Sequence, residues 1–230
     1  MLIRIGLENN DTGRSMAWAL DFPGAFAYGN DGSQAILNLP RALLQYQEWA
    51  NRHTGETWLE IGDFDLRLVE TWQVYRINRA MEESAEGYAV EAWFRDDWRP
   101  LRAEEIERSI QLFEWSRADL LAITAELPAE KLDAEMPEER WSIRGILSHI
   151  GGAEWWYLDR LGLAQPRTDL PKNAFERLAA TRGRMVEVLP GLAGSKQVVG
   201  VNGEFWSPRK LLRRALWHEL DHIGHIIQLL

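Results

Sequence analysis

The chain contains no cysteine among its 230 residues. That excludes disulfides, thiolate metal sites and nucleophilic thiols of its own. Any metal must sit on nitrogen and oxygen ligands, and any thiol chemistry needs a thiol from outside. No apolar run approaches the roughly 18 residues of a membrane span. The opening Met1-Leu2-Ile3-Arg4-Ile5-Gly6 lacks the basic stretch and apolar core of a signal peptide. The expectation is a cytoplasmic protein with no membrane partner.

Lysine is missing from residues 1–100, where 9 arginines face 16 acids, a balance of −7; residues 101–230 carry 17 bases against 19 acids, a balance of −2. An acidic first half repels phosphate backbones, so nucleic acid is excluded as a direct partner of that surface. What is present is ordinary for a globular protein, 46% hydrophobic and 27% charged residues. The length allows one large domain or two small ones, either with a real core. The 12 tryptophans are many for this length, and rings of that size contribute most by burial in cores and subunit interfaces. They predict a homo-oligomer, most simply a homodimer.

Residues 1–100 read as a small α/β domain. Runs 2–7 and 15–22 are strand-like, divided by the turn-rich Asn9-Asn10-Asp11-Thr12-Gly13. Asp21-Phe22-Pro23-Gly24 is a turn, with Pro presetting φ and Gly supplying a positive one. Asp31 precedes a helix to about Asn51, with Ala35, Ile36, Leu39, Leu43 and Tyr46 at helical spacing and a kink expected at Pro40. Runs at about 66–77 and 87–94 are expected to complete the sheet. After Asp96-Asp97-Trp98-Arg99-Pro100 the period turns helical. Residues 101–230 then predict four helices, at about 102–127, 142–161, 173–189 and from Ser207 onward, with a Gly- and Val-rich loop or short hairpin over 191–203. The whole is an α+β two-domain chain ending in a four-helix bundle.

Two helix starts are written alike, Trp141-Ser142-Ile143-Arg144 and Trp206-Ser207-Pro208-Arg209. Serine caps well because its hydroxyl takes an orphan backbone N–H, the preceding Trp can staple onto Ile146 or Leu211, and Pro208 suits the first helical position. Counted from those caps, His149 lies 7 positions after Ser142, while His218 and His222 lie 11 and 15 after Ser207. All three therefore share a similar helix face. An i, i+4 pair is offset by about 40° and one 6 Å step, so two imidazoles can converge on one ion. A third from a facing helix completes a three-nitrogen site with open positions. The expectation is a divalent metal on His149, His218 and His222. His225 stands about −20° from His218 around the helix, so a His222–His225 pair is an alternative. His225 could instead hydrogen-bond behind the ligands or stand exposed.

The segments Trp141-Ser142-Ile143-Arg144-Gly145-Ile146-Leu147-Ser148-His149, Trp206-Ser207-Pro208-Arg209 and His218-Glu219-Leu220-Asp221-His222 resemble the DinB-like (YfiT-like) superfamily of metal-binding four-helix bundles over about residues 102–230. The resemblance implies a divalent ion, zinc or nickel, on one His of the second helix and a His pair on the last. Among the proteins it resembles, some are thiol transferases using bacillithiol, mycothiol or glutathione, others are hydrolase-like, and many have no assigned activity. The resemblance therefore implies metal-dependent thiol transfer or hydrolysis with metal-activated water only for part of the family. The partner would be a small-molecule thiol or anionic substrate. His225 departs from the family pattern, which often has Gln two or three residues after the second ligand. In the first half, Ala19-Leu20-Asp21-Phe22-Pro23-Gly24-Ala25-Phe26-Ala27-Tyr28-Gly29 resembles the small α/β domain of the HicB-like antitoxin family. That resemblance carries a fold and no function.

His218-Glu219-Leu220-Asp221-His222 also fits the H-E-x-x-H pattern of zinc proteases, with Glu219 as general base. The reading fails because those enzymes usually take a third ligand downstream, and little chain follows His222. Glu219 is expected behind the ligands or on a solvated face. Arg117 and Arg182 interrupt apolar stripes and could reach an anionic substrate or snorkel to the surface. Glu154 and Tyr157 could line the cavity of His149. Besides an enzyme, the pattern allows a non-catalytic interaction module in which a metal pins two helices together.

Overall fold

The computed structural model describes residues 1–78 and 87–230. They fall into two compact units: Met1–Arg99 with Val198–Lys210, and Pro100–Gln197 with Leu211–Leu230.

The first unit is built on a four-stranded sheet ordered β3-β2-β1-β4. Strands β1 (Leu2–Asn9), β2 (Ser15–Ala19) and β3 (Phe26–Gly29) form an antiparallel meander, and β4 (Asp65–Gln73) adds parallel to β1. The β2–β3 turn places Gly24 at φ 90°, the positive value that the Pro-Gly step anticipates. Strand β3 was not anticipated from the sequence. Only four residues long, it offers too short a run for alternation to register. Helix α1 (Gly32–Thr54) follows, capped by Asp31, whose Oδ1 accepts from Gln34 N–H at 2.8 Å. It runs unbroken through Pro40 and buries Ala35, Leu39, Leu43 and Tyr46, the stripe its period demands.

The run at 87–94 does not join this sheet. Only β6 (Tyr88–Ala89) pairs, and with β5 (Arg76–Ile77), as a separate two-stranded ladder. The remaining apolar residues, Val90, Ala92, Trp93 and Phe94, are buried without pairing as strand. Burial, not a ladder, explains their hydrophobicity. The hairpin β7 (Val199–Val201) and β8 (Glu204–Trp206) turns through Asn202 and Gly203, both at positive φ. Asn-Gly is the pair that such a two-residue turn favours.

The second unit is helical. Helix α2 (Ala103–Thr124) stops short of Leu127-Pro128, because the residue before a proline avoids helical backbone. A single turn, α3 (Ala129–Leu132), leads toward α4 (Ile143–Arg160). Helix α5 (Ala174–Val188) packs along α4, and α6 (Pro208–Leu229) closes the four-helix set. Leu120, Ile146, Leu147, Ile150, Leu178 and Ile226, one or more from each of α2, α4, α5 and α6, meet in one buried cluster. Among the described residues no helix is long and apolar enough to cross a membrane.

Candidate metal centre

The start of α4 is fixed by Ser142, whose Oγ accepts from Gly145 N–H at 3.3 Å. The start of α6 repeats this device, with Ser207 Oγ accepting from Lys210 N–H at 3.2 Å. Each cap sets the rotational phase of its helix. In that phase His149 on α4 and His218 and His222 on α6 turn toward one point. One ligand-capable nitrogen from each lies within 4.8 Å of the others. The ring centroids are 4.8, 5.1 and 4.5 Å apart for the pairs 149–218, 149–222 and 218–222. His149 Nε2 and His218 Nε2 stand 3.0 Å apart.

Three imidazoles this close repel one another as cations, and their surroundings keep them neutral. Burial pushes His218 well below its ordinary pKa, helped by His222, His149 and Arg214. Burial, then His149 and His225, lowers His222 to about 4. Burial and the charge of Arg140 lower His149. Neutral imidazole is the form that ligates metal. The donor set also fits an ion in its spacing. Nitrogens each about 2.0–2.1 Å from a tetrahedral centre are about 3.3 Å apart, and the 149–218 pair already stands near that value. His222 Nδ1 is buried with no hydrogen-bond partner among the described residues, a costly state that ligation or a bound water relieves.

His225 stands apart from this trio. Its ring centroid is 6.2 Å from that of His222, and its Nε2 lies 3.0 Å from Glu139 Oε2. The wall beside His149 is Trp141, whose ring stacks on the imidazole at 4.5 Å and 26°. The tryptophan that precedes the Ser142 cap thus covers the candidate ligand of its own helix. Gly145 permits this: a Cβ there would lie 2.8 Å from Trp141 Cβ.

Sequence reasoning missed a buried ionic box behind the histidines. It takes one charged residue from each of the four long helices of the second unit: Arg117 of α2, Glu154 of α4, Arg182 of α5 and Glu219 of α6. Arg117 Nε donates to Glu219 at 2.7 Å and its Nη2 to Glu154 at 3.0 Å. Arg182 Nε donates to Glu154 at 2.6 Å and its Nη2 to Glu219. Thr181 Oγ1 donates to Glu154 at 3.0 Å and Ser116 Oγ to Glu219 at 3.2 Å. Burial alone would neutralise Glu154, but the Arg182 and Arg117 guanidiniums outweigh it and hold that carboxyl below its usual range. Arg182 is raised in turn: burial opposes its charge, and Glu154 and Glu219 prevail.

The arginines therefore neither snorkel nor wait for an anion, as their sequence setting had allowed. Glu219 is buried, not solvated, and both its oxygens are engaged. Tyr157, also buried, approaches His218 edge-on at 6.0 Å. Between histidines and box, a cavity of about 10 Å³ is lined by His218, Tyr157, Glu154, Arg182 and Glu219 among others. Its size suits one water. The one available signal for the box was the pair of arginines breaking apolar stripes.

No curated protein matches this chain. Among solved structures, YfiT from Bacillus subtilis, described as "a probable metal-dependent hydrolase with an unusual four-helix bundle topology", is similar at 18% identity and a TM-score of 0.46, covering 63% of this chain and 93% of its own. A family model, the DinB superfamily, matches residues 112–226. That span runs from within α2 to near the end of α6 and contains the three clustered histidines and the ionic box. Half the chain lies under that match, so this protein is a member of the DinB superfamily.

Proposed function

We propose that His149, His218 and His222 hold one divalent ion, zinc or nickel, and that the protein is a metal-dependent thiol transferase or hydrolase acting on a small molecule. The observation that carries the reading is the convergence of three neutral imidazoles from two capped helices. When bound, the metal supplies Lewis acidity and lowers the pKa of a water or thiol placed on it. A thiol must come from solution, since the chain has none.

The protein's own contribution is to hold the ligands and limit water. The two serine caps fix the helix phases, and Trp141 shields the His149 ring. Glu219 does not serve as a protease-type base, because Arg117, Arg182 and Ser116 occupy its oxygens. A metal that merely pinned α4 to α6 would duplicate existing structure, since Glu154 and Glu219 already share both arginines. That favours the enzyme over the inert module.

Thermal shift with bacillithiol, mycothiol and glutathione tests the reading. The expected result is that one of them raises the Tm of zinc- or nickel-loaded protein and leaves the chelator-stripped protein unmoved, or that the loaded protein alone hydrolyses an activated ester. Silence in both assays would overturn it.

A further inference from the structure

The two ring nitrogens of His218 have different surroundings. Nε2 lies 3.0 Å from His149 Nε2, on the side where the three imidazoles converge. Nδ1, across the ring, therefore points away from that side. His218 also lines the small cavity that separates the histidines from the ionic box. Of the other groups around that cavity, Glu154, Glu219 and Arg182 are charged and buried. A polar cavity of about 10 Å³ is close to the least that holds a water, and a buried water makes about three hydrogen bonds.

The two carboxylates can supply two of the three. Among the described residues, Glu154 Oε1 accepts from Arg182 Nε alone, and Glu219 Oε1 from Arg117 Nε alone. A carboxylate oxygen has two acceptor positions, so one remains on each. The third bond needs a donor, and a hydrogen on His218 Nδ1 provides it. We propose that one water in this cavity accepts from His218 Nδ1–H and donates to Glu154 Oε1 and Glu219 Oε1. The two buried acids are then positioning residues for a metal ligand. They keep the hydrogen on Nδ1, leave Nε2 bare and fix the direction of the ring. The assignment deepens the metal-site reading above and rests on it for the word ligand.

Ala215 also lines the cavity, which allows a test that leaves every charged group in place. Ala215→Val puts two methyl groups into the space for the water, whereas Ala215→Gly leaves that space open. Both changes should lower the Tm, so lost stability alone cannot separate them. In competition with a chromophoric chelator, the valine variant should bind zinc about 10–100-fold more weakly than the wild type, and the glycine variant within about twofold of it. In metal-free protein, nitrogen-15 NMR of the rings should show His218 carrying its hydrogen on Nδ1 in the wild type and the glycine variant. The valine variant should show a mixture of tautomers. Equal zinc affinity in the two variants, or a wild-type His218 with its hydrogen on Nε2, would overturn the proposal. Failure of the metal reading looks different: a wild type that takes up no zinc and still shows the Nδ1 tautomer retains the bridge and removes only the ion.

Discussion

Histidine 222 sits between two demands. Burial and its neighbours favour the neutral ring down to about pH 4, whereas in the unfolded chain the ring protonates near its ordinary value of about 6.5. The folded, metal-free protein therefore binds fewer protons than the unfolded chain between those values, and its stability rises with pH across them. His149 and His218 are shifted in the same direction. The Tm of chelator-treated protein should be flat above about pH 6.5 and fall steadily toward pH 4; replacing His222 by Gln should flatten part of that slope. An unchanged melting profile in the variant would count against burial of a neutral ring. At this scale the sequence supplied the three histidines through their offsets from two caps. It left His225 open, because His218, His222 and His225 share one face of α6. What separates them is Glu139, brought to His225 by the irregular segment before α4, and no periodicity encodes where such a segment lies.

At the scale of elements, phase control rests on small groups. Removing the Ser142 hydroxyl by Ser142→Ala should cost about 1 kcal/mol in chemical denaturation. Gly145→Ala should act differently. The added methyl meets Trp141, so the indole must leave His149, seen as a change in tryptophan emission larger than Ser142→Ala produces. The helices were legible because each has a cap or a proline stop at its ends, and the predicted bounds fall within a few residues of those found. The strands were less so. Strand β3 is short, and the 87–94 run is apolar because Val90, Ala92 and Phe94 are buried, a property that sequence shares between strands and packed irregular chain.

Across the helical unit, the ionic box links α2, α4, α5 and α6 through four buried charged side chains. Buried ion pairs add little net stability over an apolar core, yet breaking one strands a charge. Arg182→Met leaves Glu154 and Glu219 with Arg117 as their one remaining arginine, and should cost about 3–5 kcal/mol. Adding Glu154→Gln should recover part of that loss, because one stranded charge goes with it. If the double variant is less stable than the single, the pairing described for the box is wrong. The box was illegible because apolar spacing marks a stripe without saying what charged residue within it will meet. Arg117 and Arg182 announced an exception but not their partners. Four residues from four helices become neighbours only after the bundle has formed.

The proposed function requires three imidazoles that share one ion. Elemental analysis of protein purified without chelators, compared with His149→Ala and His222→Ala, tests that directly. The expected result is close to one zinc or nickel per chain in the wild type and loss of it in both variants, each still folded. A metal-free wild type, or variants that keep a full equivalent, would contradict it.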